Sequence, residues 1–126
     1  MTIASWCVMA AALLPYIWTW IAKFTSGFRP RDNHVPREFL EQLKGPAKRA
    51  HWAQLNTFES TPGFMAAVLV AQQAHAPQGA VNALAVTYIV LRLAYGVLYI
   101  KDLATLRSLV WAAGLACVVG LFVVAA

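Results

Sequence analysis

Four runs of apolar residues divide the chain, at about Ile3 to Ala22, Trp52 to Ala74, Val81 to Ile100 and Leu103 to Ala126. Each has about the twenty residues that a helix needs to cross a bilayer. No period-two alternation runs through them, and in lipid the backbone groups must be satisfied within each segment, so helices are predicted rather than a barrel. The second run differs from the others. Between Arg49 and Phe64 it reads RAHWAQLNTFESTPGF, with Asn56 and Glu59 in an apolar setting and a Pro62-Gly63 pair that predicts a break. Steps of three and four residues return to one helix face, so Arg49, Trp52, Asn56, Glu59 and Gly63 form one stripe. In the third run Arg92, Tyr95 and Tyr99 likewise share a face.

The connections add detail. Pro15 inside the first run removes the hydrogen bond to the Ala11 carbonyl and predicts a kink. Trp18 and Trp20 beside Lys23 suit a headgroup boundary. In the first connection, residues 23–51, the segment VPREFLEQLKG has Pro36 for a first turn, an apolar stripe of Phe39, Leu40 and Leu43, and Gly45-Pro46 as a stop. It predicts a short helix on the membrane surface. In the fourth run Ala112, Ala116 and Gly120 recur every four residues, a pattern that lets membrane helices pack closely within or between subunits.

Composition fixes the solvent. At 60% hydrophobic residues and a mean hydropathy of +0.60, the 126-residue chain is more apolar than a soluble domain of this size can bury. The predicted fold is an all-α integral membrane protein, a single four-transmembrane-helix bundle over residues 1–126. The formal charge of +5 invites a nucleic-acid partner, but its distribution argues against one. From Lys23 to Arg49, seven basic residues stand against three acids; the third connection adds Lys101 and Arg107 against Asp102, and the second, around His75 to Gly79, has no Lys or Arg. The positive-inside rule then places connections one and three in the cytoplasm and both termini outside. Arg29, Arg31 and Arg37 serve topology and lipid headgroups, or recognise an anionic ligand. Cys7 and Cys117 lie deep in separate runs without metal-ligand spacing and are read as small buried hydrophobes, so no metal site is expected. The first run lacks a basic n-region and a clear cleavage site, which makes it a retained helix rather than a signal peptide.

Counting depth brings the two polar faces together. Glu59 lies about 13 Å in from Ala50 at 1.5 Å per residue, and on the antiparallel third helix Arg92 lies at the same level. Asn56 comes level with Tyr95, and Tyr99 with the turn from Arg49 to Trp52. Glu59 and Arg92 are therefore expected to pair, either as a buried ion pair fixing register or as part of a pocket for a polar, anionic molecule. His51, near the interface, is a base or a solvated interfacial side chain.

These residues resemble a family, the membrane-associated proteins in eicosanoid and glutathione metabolism (MAPEG). The matching elements are N-x-x-E-x-x-P, here Asn56, Glu59 and Pro62, preceded by Arg49-Ala50, and R-x-x-Y-x-x-x-Y, here Arg92, Tyr95 and Tyr99. Length and four runs also agree, and the likeness is to the bacterial branch. The resemblance implies a homotrimer in the bacterial inner membrane, with glutathione as co-substrate bound between subunits near the cytoplasmic side. It implies glutathione contacts for Asn56, Glu59, Tyr95 and Tyr99, with Arg49 and Arg92 in the same site. It also implies an arginine near the start of the fourth helix that activates the thiol, for which Arg107 is the nearest candidate. The family's arginine four residues before the motif asparagine is Trp52 here, while the one seven before it survives as Arg49. Arg29 and Arg31 are candidates for the family's loop arginines. The expected function is a glutathione-dependent transferase or peroxidase acting on small lipophilic electrophiles that arrive through membrane lipid. The alternative is a non-catalytic trimeric membrane protein with a lipid or anion site.

Overall fold

The computed structural model describes residues 1–126, all of them in helices, turns or short connections. Four long antiparallel helices, α1 (Ile3–Phe24), α3 (Gly45–Gln73), α4 (Gln78–Ile100) and α5 (Ala104–Ala125), form the bundle, and the short α2 (Pro36–Glu41) lies in the first connection. That connection and the α4–α5 turn sit at one end of the bundle, here the loop end. Both chain termini and the turn between α3 and α4 sit at the other, the terminal end. Of the helices, α1, α4 and α5 are long and apolar enough to cross a membrane. The 29-residue α3 falls below that measure of apolarity because it carries the polar stripe.

Local chemistry explains the boundaries. Thr2 caps α1, its hydroxyl accepting from the Ser5 N–H at 3.1 Å. Helix α3 starts at Gly45, earlier than its apolar run, because Gly45 takes a φ of +61° that turns the chain and Pro46 suits a first helical turn. Gly45-Pro46 thus opens α3, while α2 already ends at Glu41. The stripe expected for α2 holds: Leu40 is buried against Ala22 and Ala50, with Phe39 and Leu43 packed alongside.

The prolines behave differently from the break predicted at Pro62-Gly63. Helix α3 runs through both residues without interruption, and α1 runs through Pro15. Bundle neighbours can compensate what a proline frees in a membrane helix: the Thr61 hydroxyl, whose proton goes mainly to the Thr57 carbonyl at 2.7 Å, stands 3.4 Å from the Ala11 carbonyl that Pro15 leaves without its helical partner.

Packing is closest where side chains are missing. Trp18, expected at a headgroup boundary, is 2% exposed, and a β-carbon at Gly96 would overlap its ring; Trp20 is 64% exposed and takes the outward position alone. On α5 the inward residues are Gly114, Cys117 and Leu121, whereas Ala112 and Ala116 are exposed, so the small-residue stripe does not pack inside this chain apart from Gly120 against Leu84. At the terminal end the Gln72 amide donates to Thr2 Oγ1 and, at 3.2 Å, to Ser5 Oγ, while the Ala4 N–H donates to Asn82 Oδ1 at 3.1 Å. These bonds tie the start of α1 to α3 and α4.

Candidate functional site

The polar stripes of α3 and α4 do face each other, with Tyr99 level with Trp52 and Asn56 beside Tyr95 as counted. Arg49 Nε donates to the Ile100 carbonyl at 3.0 Å, the Trp52 and Tyr99 rings are 6.4 Å apart, and the Tyr88 hydroxyl donates to the Ser60 carbonyl at 3.4 Å. Arg92, however, meets Asn56 and not Glu59. Its Nη2 donates to Asn56 Oδ1 at 2.8 Å and to Thr57 Oγ1 at 3.4 Å, and its guanidinium stands 4.4 Å from the Tyr95 ring centre. Thr57 can accept because its own proton goes to the Ala53 carbonyl at 2.7 Å.

The expected Glu59–Arg92 ion pair is therefore absent. The single ion pair in the chain is an exposed one, Arg31 with Asp32 at 4.0 Å. Glu59 is exposed at the groove edge of α3, while Arg92 is only 3% exposed and its Nε has no hydrogen-bond partner. Asn56 and Glu59 stand about one turn apart on the same stripe, and the arginine side chain lying over the Tyr95 ring reaches the less exposed of the two. The result is a buried guanidinium held by neutral partners, with no carboxylate to balance it inside the chain.

Around it lie connected grooves. One of about 360 Å³ is walled by Trp52, Leu55, Asn56, Glu59, Tyr95 and Tyr99. Another of about 330 Å³ shares Asn56 and Glu59 with it and continues along Ser60, Gly63, Tyr88, Arg92, Trp111, Gly114, Leu115 and Val118. A third, of about 230 Å³, brings in Arg107 and Ser108 of α5 beside Asn56, Tyr95 and Trp111. Arg107 stacks over the Tyr99 ring at 4.2 Å, and Tyr99 meets Tyr95 edge to face at 5.6 Å. Asn56, Glu59, Arg92, Tyr95, Tyr99 and Arg107 thus line one continuous surface, with Arg49 at its loop end. An anion is matched there by guanidinium groups and an ammonium by the Glu59 carboxylate, and the tyrosine hydroxyls can donate or accept.

Other residues belong to the surface without having been singled out. Thr57 supports Arg92, Tyr88 floors the second groove and Trp111 joins the second groove to the third. The signal existed in the spacing: Tyr88 precedes Arg92 by four residues on its stripe, and Trp111 follows Arg107 by four. His51 goes the other way. It is buried, bonds Gln54 Oε1 through Nδ1 at 3.1 Å and lines none of these grooves, so it is not a solvated interfacial histidine.

Comparison with protein families gives one result: the model of the MAPEG family matches residues 3–126, nearly the whole chain. The chain belongs to the MAPEG family. Comparisons with curated proteins and with solved structures returned no match.

Proposed function

We propose, from membership of the MAPEG family, that this chain is a glutathione-dependent membrane transferase or peroxidase whose grooves along α3, α4 and α5 hold the tripeptide. The observation that carries the reading is Arg92, a buried cation without a carboxylate, opening onto a groove that also offers Asn56, Glu59, Tyr95 and Tyr99. Glutathione has two carboxylates, one ammonium and two amides, and this set of side chains matches each of those groups. Arg49 and Arg92 take carboxylates, Glu59 takes the ammonium, and Asn56, Tyr95 and Tyr99 bond the amides and carboxylates.

Arg107 sits over Tyr99 and is the group assigned to the sulfur. A guanidinium beside a thiol favours the thiolate, which is the nucleophile. The thiolate then adds to an activated double bond, whose carbanion takes up the proton the thiol released to leave a thioether. Alternatively it attacks a peroxide oxygen, breaking the O–O bond to give a glutathione sulfenic acid and an alkoxide that takes that proton and leaves as the alcohol. A second glutathione converts the sulfenic acid to disulfide and water. Leu55, Trp111 and Leu115 are exposed apolar residues on the groove walls, which suits a lipophilic second substrate entering from the bilayer. The same reading takes α3 as a fourth span alongside α1, α4 and α5, with both termini outside, the α1–α3 and α4–α5 connections in the cytoplasm of a bacterium, and three copies around each functional unit.

Trp52 supports a second reading, since it stands where family enzymes carry an arginine and its ring lies 5.7 Å from Lys48 Nζ. In that reading the assembly is non-catalytic and keeps only a lipid or anion site. Glutathione titration of the purified protein separates the two. Thiolate absorbance and saturable binding are expected at millimolar glutathione, with turnover of a generic electrophile; no binding at that concentration rejects the enzyme.

A further inference from the structure

At the loop end, the start of α3 and the α4–α5 turn border a further open pocket of about 490 Å³, walled by Leu43, Lys44, Lys48, Arg49, Trp52 and Asp102 and adjoining the tripeptide surface at Arg49 and Trp52. Three cations there face one carboxylate. Two of the cations are held in place. Lys48 Nζ donates to the main-chain carbonyls of Leu40, at 3.5 Å, and Glu41. Arg49 is anchored through Nε on Ile100, which leaves its Nη groups with no hydrogen bond inside the chain. Arg29, Arg31 and Arg37 carry charge on the same side of the bundle, but all three are exposed and none lines this pocket. The excess of positive charge is therefore focused in a concavity as well as spread over a surface.

We propose that this pocket binds a phosphate group, carried by the headgroup of an anionic phospholipid in the adjoining leaflet or by a soluble phosphate ester. A tetrahedral oxyanion uses donors arriving from several directions, as ammonium groups of two lysines and an arginine fork do here. The pocket lies where the apolar stretches of α4 and α5 end, and Leu43 and Trp52 give it an apolar wall for whatever the phosphate is attached to. Basic pockets at this level between membrane helices hold lipid headgroups. Arg49 is shared with the glutathione reading, but Lys44, Lys48 and Asp102 line no part of the grooves assigned to the tripeptide, so the test is built on those three residues.

The test uses the full chain in neutral detergent without glutathione. Its melting temperature is followed against phosphatidylglycerol or phosphatidylcholine in mixed micelles, and against inorganic phosphate or chloride at equal ionic strength. Phosphatidylglycerol should raise the melting temperature saturably while phosphatidylcholine does not. The double variant Lys44→Gln, Lys48→Gln should weaken the apparent affinity by about tenfold or more. Asp102→Asn should tighten it by about two- to fivefold, since the opposing charge goes and asparagine tolerates the φ of +60° at that position. Arg37→Gln should leave it unchanged. A response to phosphatidylglycerol alone assigns the phosphate to lipid; an equal response to inorganic phosphate assigns it to soluble esters. Should the double variant fail to fold, Asp102→Asn decides. No response of the wild type to either ligand, or an equal response in wild type and Asp102→Asn, overturns the proposal. So does loss of the response in millimolar glutathione, which would merge the pocket with the groove. Failure of glutathione to bind at all would remove the enzyme reading and leave this result standing.

Discussion

Toward the terminal end of the bundle, twelve buried residues drawn from all four long helices make one continuous apolar core, including Phe64 stacked on Tyr88 with ring centres 4.0 Å apart. Toward the loop end, burial breaks into two clusters of three, Leu14 with Trp18 and Ala53, and Ala22 with Leu40 and Ala50. Arg92 and its grooves occupy the region that the first core leaves unfilled. The difference teaches a division of labour within each helix. Close packing at one end fixes the spacing and rotation of α3, α4 and α5, so the other end can hold open a polar surface without collapsing onto it.

Substitutions can break that contrast. The largest effect is expected at the terminal end: Phe64→Ala should cost about 3–5 kcal/mol of stability, read by thermal or denaturant unfolding in detergent. A cost no greater than that of Leu55→Ala, on the groove wall, would mean the apolar core is not what holds the bundle together. Arg92→Gln should act in the opposite way. It removes a buried charge whose Nε is unpartnered, so stability should hold or rise, while glutathione affinity falls about tenfold or more, near 1.4 kcal/mol. Loss of folding without loss of affinity would make Arg92 a scaffold residue. Tyr99→Phe and Asn56→Ala come next, each expected to weaken glutathione binding by about 1 kcal/mol, measured by isothermal titration. Normal binding by both variants removes them from the site. The smallest effect should be that of Glu59→Gln on stability, within about 0.5 kcal/mol, because the carboxylate is exposed and unpaired in the chain. A loss of several kcal/mol would show that another copy supplies its partner.

Much of this architecture was legible in the chain, for reasons that particular residues make plain. Apolar run length located α1, α4 and α5 to within about three residues at each end, and α3 except for its first two turns. The start of α3 was not legible from hydropathy, because Lys48 and Arg49 end the apolar run although the backbone continues as helix from Gly45. The stripes Arg49–Asn56–Glu59 and Arg92–Tyr95–Tyr99 followed from helical period alone, and they do face a common groove. Their levels at Trp52 and Tyr99 followed too, but not which side chain Arg92 would reach. Counting rise from an assumed membrane surface locates a residue to about a turn, and one turn decides whether Arg92 meets Glu59 or Asn56. Pro62 misled because a proline inside a packed membrane helix does not by itself end it, as Pro15 in α1 also shows.

The two cysteines offer a practical return. Cys7 and Cys117, 8% and 7% exposed, are both locked into the apolar core at the terminal end. To a membrane-impermeant maleimide the native chain should be silent, so a reactive handle can be introduced without first deleting anything. With Leu55→Cys on the groove wall, labelling from one side of a sealed vesicle would report which compartment the groove opens to, and protection by an added ligand would report occupancy, both from a single modified position.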